Sequence, residues 1–334
     1  MTYRFLTGSY AAPEDEGICR FAFDAEKGFI WEKAWTGFSN PSYILKHPHA
    51  PVLYSVEENS PTGAVRAWQI GDSLIPLSSF PSGGASPCHL SLSEDEKYLY
   101  VSNYVDGTLA VFSLDPQGRI GKMCDLKRLS GHGPNPFRQE GPHAHCSLET
   151  EGKLYLCDLG TDRIHVYRNE KGKLENAGEI ALPAGSGPRH VTVCSRHPGL
   201  LYCVAELESS VYVISLKENG KIVQSLSTLP AGFEGENTSA AIHISSDGRF
   251  LLASNRGHDS IAVYAIQADG ALSQPVVSPC IAEPRDFILF DHFVVAGSQK
   301  DDLLRAYRLN ETALVLEETP WSAGADCPVC FAAL

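Results

Sequence analysis

Four side chains in this 334-residue sequence have the types and settings for proton transfer on an anionic substrate. His145 ends the stretch Gly141-Pro142-His143-Ala144-His145, and Arg189 lies in Gly187-Pro188-Arg189-His190. Glu206 closes Val204-Ala205-Glu206, and Arg256 follows Asn255 in Ala253-Ser254-Asn255-Arg256-Gly257. A histidine exchanges protons near neutral pH because its ordinary pKa is ~6.5. A glutamate orients such a ring, or acts as base itself where burial raises its pKa. Arginines bring a planar fork that grips phosphate or carboxylate and steadies an oxyanion. Together these groups suit attack of an activated water on a carbonyl. Structural readings of the same residues stand beside this one: a ring of ion pairs between repeats, and for His145 a core histidine bonded to backbone. His143 and His145 also form an H-x-H pair that a strand would place on one face, as a metal pair requires.

The elements that must position these residues repeat along the chain. One unit reads as a Pro-led apolar strand, a polar turn, a strand ending in a polar residue, a second turn and another strand. Pro87–Ser93, Tyr98–Asn103 and Thr108–Leu114 form a clear copy. The polar strand end recurs as Ser9, Glu57, Asn103, Asp158, Glu206, Asn255 and Ser298, at spacings of 48, 46, 55, 48, 49 and 43. A period in the forties with strand alternation predicts four-stranded propeller blades. Seven anchors predict an all-β, seven-bladed β-propeller with antiparallel blades and a single domain over residues 1–334. Inner strands are expected at Pro41, Pro87, Pro142, Pro188, about Thr238, Pro284 and Pro328. The first unit has no such strand before it and the last has no unit after it. Pairing of the C-terminal strand into the first blade would therefore close the ring and hide both edges.

Alternating strand direction puts the Pro-led segments and the anchors at one mouth of the channel. Three residues after each inner-strand Pro stand Ile44, Leu90, His145, Val191, Phe287 and Phe331, so His145 breaks an apolar set. The longest spacing holds the loop Gly131–Gly141, with Arg138, Gln139 and Glu140.

Lys plus Arg number 27 and Asp plus Glu 40, so the net charge is −13, which argues against nucleic acid or an anionic membrane as the main partner. No apolar run reaches the ~18 residues of a spanning helix, and the start lacks a long apolar h-region. These features point to the cytoplasm, and the ten cysteines read as reduced thiols buried in strands. Cys327 and Cys330 form the one CxxC pair, poorly placed on a strand to share a ligand. No P-loop, GxGxxG, HExxH or GxSxG elbow is present.

The sequence resembles the seven-bladed propeller lactonases, a family that includes the propeller-type 6-phosphogluconolactonases and the carboxymuconate lactonizing enzymes. The resemblance rests on Ser86–Ser91, Gly131–His145, Asp158–Asp162, Gly187–His190, Glu206-Leu207 and Ser254–Ile261, spread over nearly the whole chain. It implies catalysis by His145, Glu206, Arg189 and Arg256 at the channel mouth. His143, His190, Asn255, Arg285, His89 and Arg138 are the expected substrate-binding residues. It implies no cofactor and no metal, and an anionic lactone such as 6-phosphogluconolactone as the small-molecule partner. Ala241 and Ser298 stand where the family usually has Glu and Asn. A lactone-forming cycloisomerase and a non-catalytic binding propeller are the alternatives.

Overall fold

The computed structural model describes residues 1–334, and every regular element in it is a β-strand. The first blade takes β1 (Thr2–Ser9), β2 (Ile18–Asp24) and β3 (Gly28–Trp35). The second holds β4 (Ile44–Lys46), β5 (Val52–Glu57), β6 (Ala64–Gln69) and β7 (Ile75–Pro81). The third holds β8 (Pro87–Leu92), β9 (Tyr98–Asn103), β10 (Thr108–Leu114) and β11 (Ile120–Arg128). The fourth holds β12 (Ala144–Thr150), β13 (Lys153–Asp158), β14 (Arg163–Glu170) and β15 (Lys173–Ala181). The fifth holds β16 (Pro188–Val193), β17 (Leu200–Ala205), β18 (Ser210–Ser215) and β19 (Lys221–Ser227). The sixth holds β20 (Thr238–Ile244), β21 (Phe250–Arg256), β22 (Ser260–Ala265) and β23 (Val276–Pro279). The seventh holds β24 (Pro284–Phe290), β25 (Phe293–Ser298), β26 (Leu303–Asn310) and β27 (Val315–Gly324). The last strand, β28 (Pro328–Ala333), returns to the first blade in the order β28-β1-β2-β3, as the repeat predicts.

The chain divides into two compact units. One comprises Met1–Thr7, Cys19–Ala34 and Pro188–Leu334; the other comprises Gly8–Ile18 and Trp35–Gly187. Within the first, the cores lie between neighbouring blades. Phe5, Phe21, Phe23 and Phe290 form one, Phe250, Leu252, Phe287 and Tyr307 another, and Tyr202, Val213, Ile242 and Tyr264 a third. Within the second unit, Tyr54, Leu90, Leu99 and Phe112 join two blades, and Tyr100, Leu109, Leu154 and Tyr167 join two. Each fully buried large apolar side chain contributes about 1.5–3 kcal/mol. The blades therefore hold to one another through faces that alternate along every strand.

Repeated local chemistry sets the turns. Ser93 Oγ accepts the amides of Lys97 and Tyr98, and Ser245 Oγ accepts those of Arg249 and Phe250. Both bring the inner strand round into the next. The Tyr54 hydroxyl donates to Gly118 O at 2.6 Å and that of Tyr202 to Gly270 O at 2.8 Å. Each such bond ties a buried ring to a glycine turn of positive φ in the following blade.

Five of the expected inner-strand starts match the ladders: Pro87, Pro188, Thr238, Pro284 and Pro328. Two differ, with β4 starting at Ile44 and β12 at Ala144. At β12 the cause is visible. Pro142 has no amide hydrogen, and the His143 amide donates to the Asp158 carboxylate at 2.7 Å, so the ladder begins one residue later.

Candidate active site

Most inner strands open with a β-bulge. Register skips one residue between Pro87 and His89, Ala144 and Cys146, Pro188 and His190, and Pro284 and Asp286. The skipped residues are Cys88, His145, Arg189 and Arg285. A bulge re-aims the side chain that the ladder leaves out. This corrects the alignment made from prolines. His145 does not share a position with the apolar Leu90 and Val191; it shares the bulge position with Cys88, Arg189 and Arg285. Because β12 starts two residues after Pro142, counting from proline placed it two positions too far along.

In the first unit, the bulge at Arg189 sends its guanidinium to Glu206, just past the end of β17. Arg189 Nε lies 2.9 Å from Glu206 Oε2, and Arg256 Nη2 lies 3.1 Å from the same oxygen. Both arginines also dock on β20. Arg189 Nη1 donates to Ala240 O at 2.7 Å and Arg256 Nη2 to Ser239 O at 3.3 Å. Arg189 Nη1 lies 3.3 Å from His190 Nε2. Side-chain exposure is 3% for Arg189, 4% for Glu206 and 12% for Arg256, so Arg256 is the more accessible fork. Burial draws the Arg256 guanidinium down to about 10; Glu206 opposes that shift, and the like charges of Arg189 and Arg285 add to it. It remains charged at neutral pH. Two guanidiniums share the Glu206 carboxylate, and the charge of Glu283 also acts on Arg256.

Asn255, expected to touch substrate, is fully buried. Its Oδ1 accepts from Thr228 Oγ1, Ser239 Oγ and Asn237 Nδ2, and its Nδ2 donates to Thr228 O and Ser260 Oγ. Those bonds saturate the amide, so Asn255 fixes the strand end that carries Arg256.

In the second unit, His143 and His145 both meet Tyr104. The His143 ring stacks on it with centroids 4.3 Å apart and planes 8° apart, and His145 stands edge-on at 5.6 Å. His143 Nδ1 donates to Tyr104 O at 2.9 Å, and its Nε2 faces Glu140 at 3.4 Å. Arg138 Nη2 reaches the Tyr104 hydroxyl at 3.4 Å. The Gly131–Gly141 loop is held from inside by Gln139, whose Nε2 donates to Leu159 O at 2.9 Å and Asp162 Oδ1 at 2.7 Å. Asp158 takes the His143 and Gly160 amides, the Thr161 hydroxyl and His165 Nε2. His89 is buried, its ring centroid 4.4 Å from that of Tyr43 and its Nδ1 3.5 Å from the Ser147 amide of β12.

Sequence reasoning gave no role to Tyr104, to Gln139 of the long loop or to Asp162. Tyr104 directly follows the anchor Asn103, and that adjacency was its one signal. Gln139 is an ordinary loop residue until the fold buries it. No group of three or more His, Cys, Asp or Glu is placed to hold a metal ion, and no disulfide joins the ten cysteines. No helix is long and apolar enough to cross a membrane.

Residues 4–333 match the family model described as Lactonase, 7-bladed beta-propeller. A protein of Bacillus subtilis named 6-phosphogluconolactonase is 32% identical over 345 residues, covering 98% of this chain and 97% of that protein. One of the same name from Formosa agariphila is 33% identical over 303 residues, covering 84% of each. Among solved structures, a periplasmic gluconolactonase of Pseudomonas aeruginosa superposes with a TM-score of 0.92 at 28% identity, over 100% of this chain and 99% of that one. A protein from Lactobacillus plantarum does so with a TM-score of 0.90 at 30% identity, over 100% of both.

Proposed function

The chain belongs to the seven-bladed β-propeller lactonases, and from that membership we propose that it hydrolyses a phosphorylated sugar lactone, 6-phosphogluconolactone, to the open acid. The observation that carries the choice of an anionic substrate is the pair of guanidiniums, Arg189 and Arg256, converging on the single carboxylate of Glu206. Two guanidinium forks held side by side in a largely buried setting suit a phosphate or carboxylate.

In this reading a water gives its proton to His145 while its oxygen bonds to the lactone carbonyl carbon. The guanidiniums steady the oxyanion. The ring C–O bond then breaks, and the ring oxygen takes the proton back as a hydroxyl. Glu206 holds both forks in place; its Oε2 is engaged by two cations, which suits an orienting carboxylate better than a base. His145 takes the base role because an imidazole titrates near neutral pH.

The test is the rate of acid release from 6-phosphogluconolactone against unphosphorylated gluconolactone. Each charge-assisted contact is worth about 1.5–3 kcal/mol, so kcat/KM should favour the phosphorylated lactone by roughly ten- to a hundredfold. Equal rates would remove the anion clamp. Loss of the ultraviolet absorbance of a conjugated diacid, with no lactone hydrolysis, would favour the cycloisomerase instead.

A further inference from the structure

The innermost strands of the first unit carry a second pair of acid–base groups that the reaction above does not use. His243 on β20 and Asp286 on β24 are joined by a 2.8 Å bond between His243 Nε2 and Asp286 Oδ1. The other carboxylate oxygen accepts the Phe331 amide of β28 at 3.2 Å. Asp286 thus ties three successive inner strands, and the side chain is 14% exposed. Phe287 stands edge-on to the His243 ring at 4.8 Å and 86°. A carboxylate oxygen accepts here, so the ring N–H sits on Nε2, and the tautomer with its one proton there offers Nδ1 as an acceptor. The ring is fixed on one side and 42% exposed.

The position along β20 gives this pair a meaning. Arg189 and Arg256 dock on the Ala240 and Ser239 carbonyls of that strand. His243 lies three residues beyond Ala240, past the register shift between Ser239 and Ile242, so at most about 10 Å along the strand. Asp286 directly follows Arg285, whose charge acts on Arg256. One strand therefore carries both the carbonyls that seat the arginine forks and, no more than about 10 Å further on, the His243 ring, a span that a phosphorylated six-carbon hydroxy acid can cover.

We propose that His243, oriented by Asp286, is a specificity-determining residue that accepts a hydrogen bond from a substrate hydroxyl while the arginines hold the anionic end. The inference rests on the lactonase reading for its ligand class. It predicts that polyhydroxylated anions bind better than hydroxyl-free anions of the same length, because a polar group aimed at a hydroxyl is left unmatched by an analogue lacking it.

The experiment is titration calorimetry of the whole protein with 6-phosphogluconate and with 6-phosphohexanoate, which keeps both charged ends and lacks the hydroxyls. His243→Phe should weaken the first about tenfold and leave the second within about twofold. His243→Gln, which retains an acceptor, should recover part of the loss. Asp286→Asn, which frees the ring to turn, should give an intermediate loss on the hydroxylated ligand alone. Should the phenylalanine variant not fold, His243→Ala supplies the same ratio. Equal weakening of both ligands, no change in either, or no binding of either by the wild type would overturn the proposal. Failure of the lactonase reading looks different: the wild type would bind the hydroxylated acid preferentially and turn over no lactone.

Discussion

Arg189 and Glu206 form a buried ion pair across adjacent strands of one blade, 2.9 Å apart, with side chains 3% and 4% exposed. Arg256 approaches the same carboxylate oxygen at 3.1 Å from the next blade. Removing the carboxylate would leave two largely buried guanidiniums without the group that bridges them. Glu206→Ala should cost about 3–5 kcal/mol of stability, the usual penalty for breaking a buried pair from one side. Glu206→Gln, which keeps an oxygen acceptor, should cost less and still depress turnover. A Glu206→Ala melting curve that coincides with wild type would show that the cluster carries no structural weight.

His145→Asn separates proton transfer from packing. The substitution keeps approximate size and cannot take a proton at neutral pH. If His145 is the general base, its loss should lower kcat by about 10²–10⁴-fold and remove the acid limb of the pH–rate profile. A double-mutant cycle with Glu206→Gln should be strongly non-additive if both residues serve one reaction. A folded His145→Asn protein with wild-type kcat would end the assignment.

His47 should make the fold acid-sensitive. Its Nδ1 accepts the amides of His49 and Ala50, and burial holds its pKa below the ordinary 6.5. Because the folded value is depressed, its contribution is present above pH 6.5 and lost as pH falls through the folded value. His47→Asn offers a carbonyl oxygen that does not titrate. Tm of wild type should fall faster than that of the variant as pH drops below about 6.5. Parallel Tm curves over that range would refute the role.

Gly160 should not tolerate a side chain. A Cβ there would lie 1.9 Å from Gly141 O, a backbone atom at the end of the Gly131–Gly141 loop. Gly160→Ala must push that loop away, at about 1–3 kcal/mol for overpacking. Gly141→Ala meets nothing within 4 Å and serves as the control. Equal stability of the two variants by thermal melting would contradict the packing.

Deleting residues 327–334 should abolish cooperative unfolding. The deletion removes β28 from the first blade, along with Phe331 packed 5.8 Å from Phe5 and the Leu334 amide bonded to Arg4 O at 2.9 Å. β1 would then expose an unpaired edge. A truncated chain with unchanged Tm would show that the blade stands without it.

Much of this protein was legible in its residues because a blade is a local object. Strand alternation, a polar strand end every forty-odd residues and proline at strand entry are short-range patterns. They determined seven blades, the return of the last strand to the first blade, and the segments that carry Arg189, Glu206 and Arg256. The sequence did not show which residue the ladder skips. That depends on where an inner strand's first amide goes, and at His143 it goes to Asp158, the anchor ending the next strand. The bulge places His145 with Cys88, Arg189 and Arg285, a relation no proline count reveals. Asn255 and Gln139 look like surface amides in a list of letters, yet folding buries both completely. Likewise His243 and Asp286 are 43 residues apart and meet because two inner strands lie side by side. Composition and period act along the chain, whereas burial, bulge register and ion-pair geometry arise only when strands pair and blades pack.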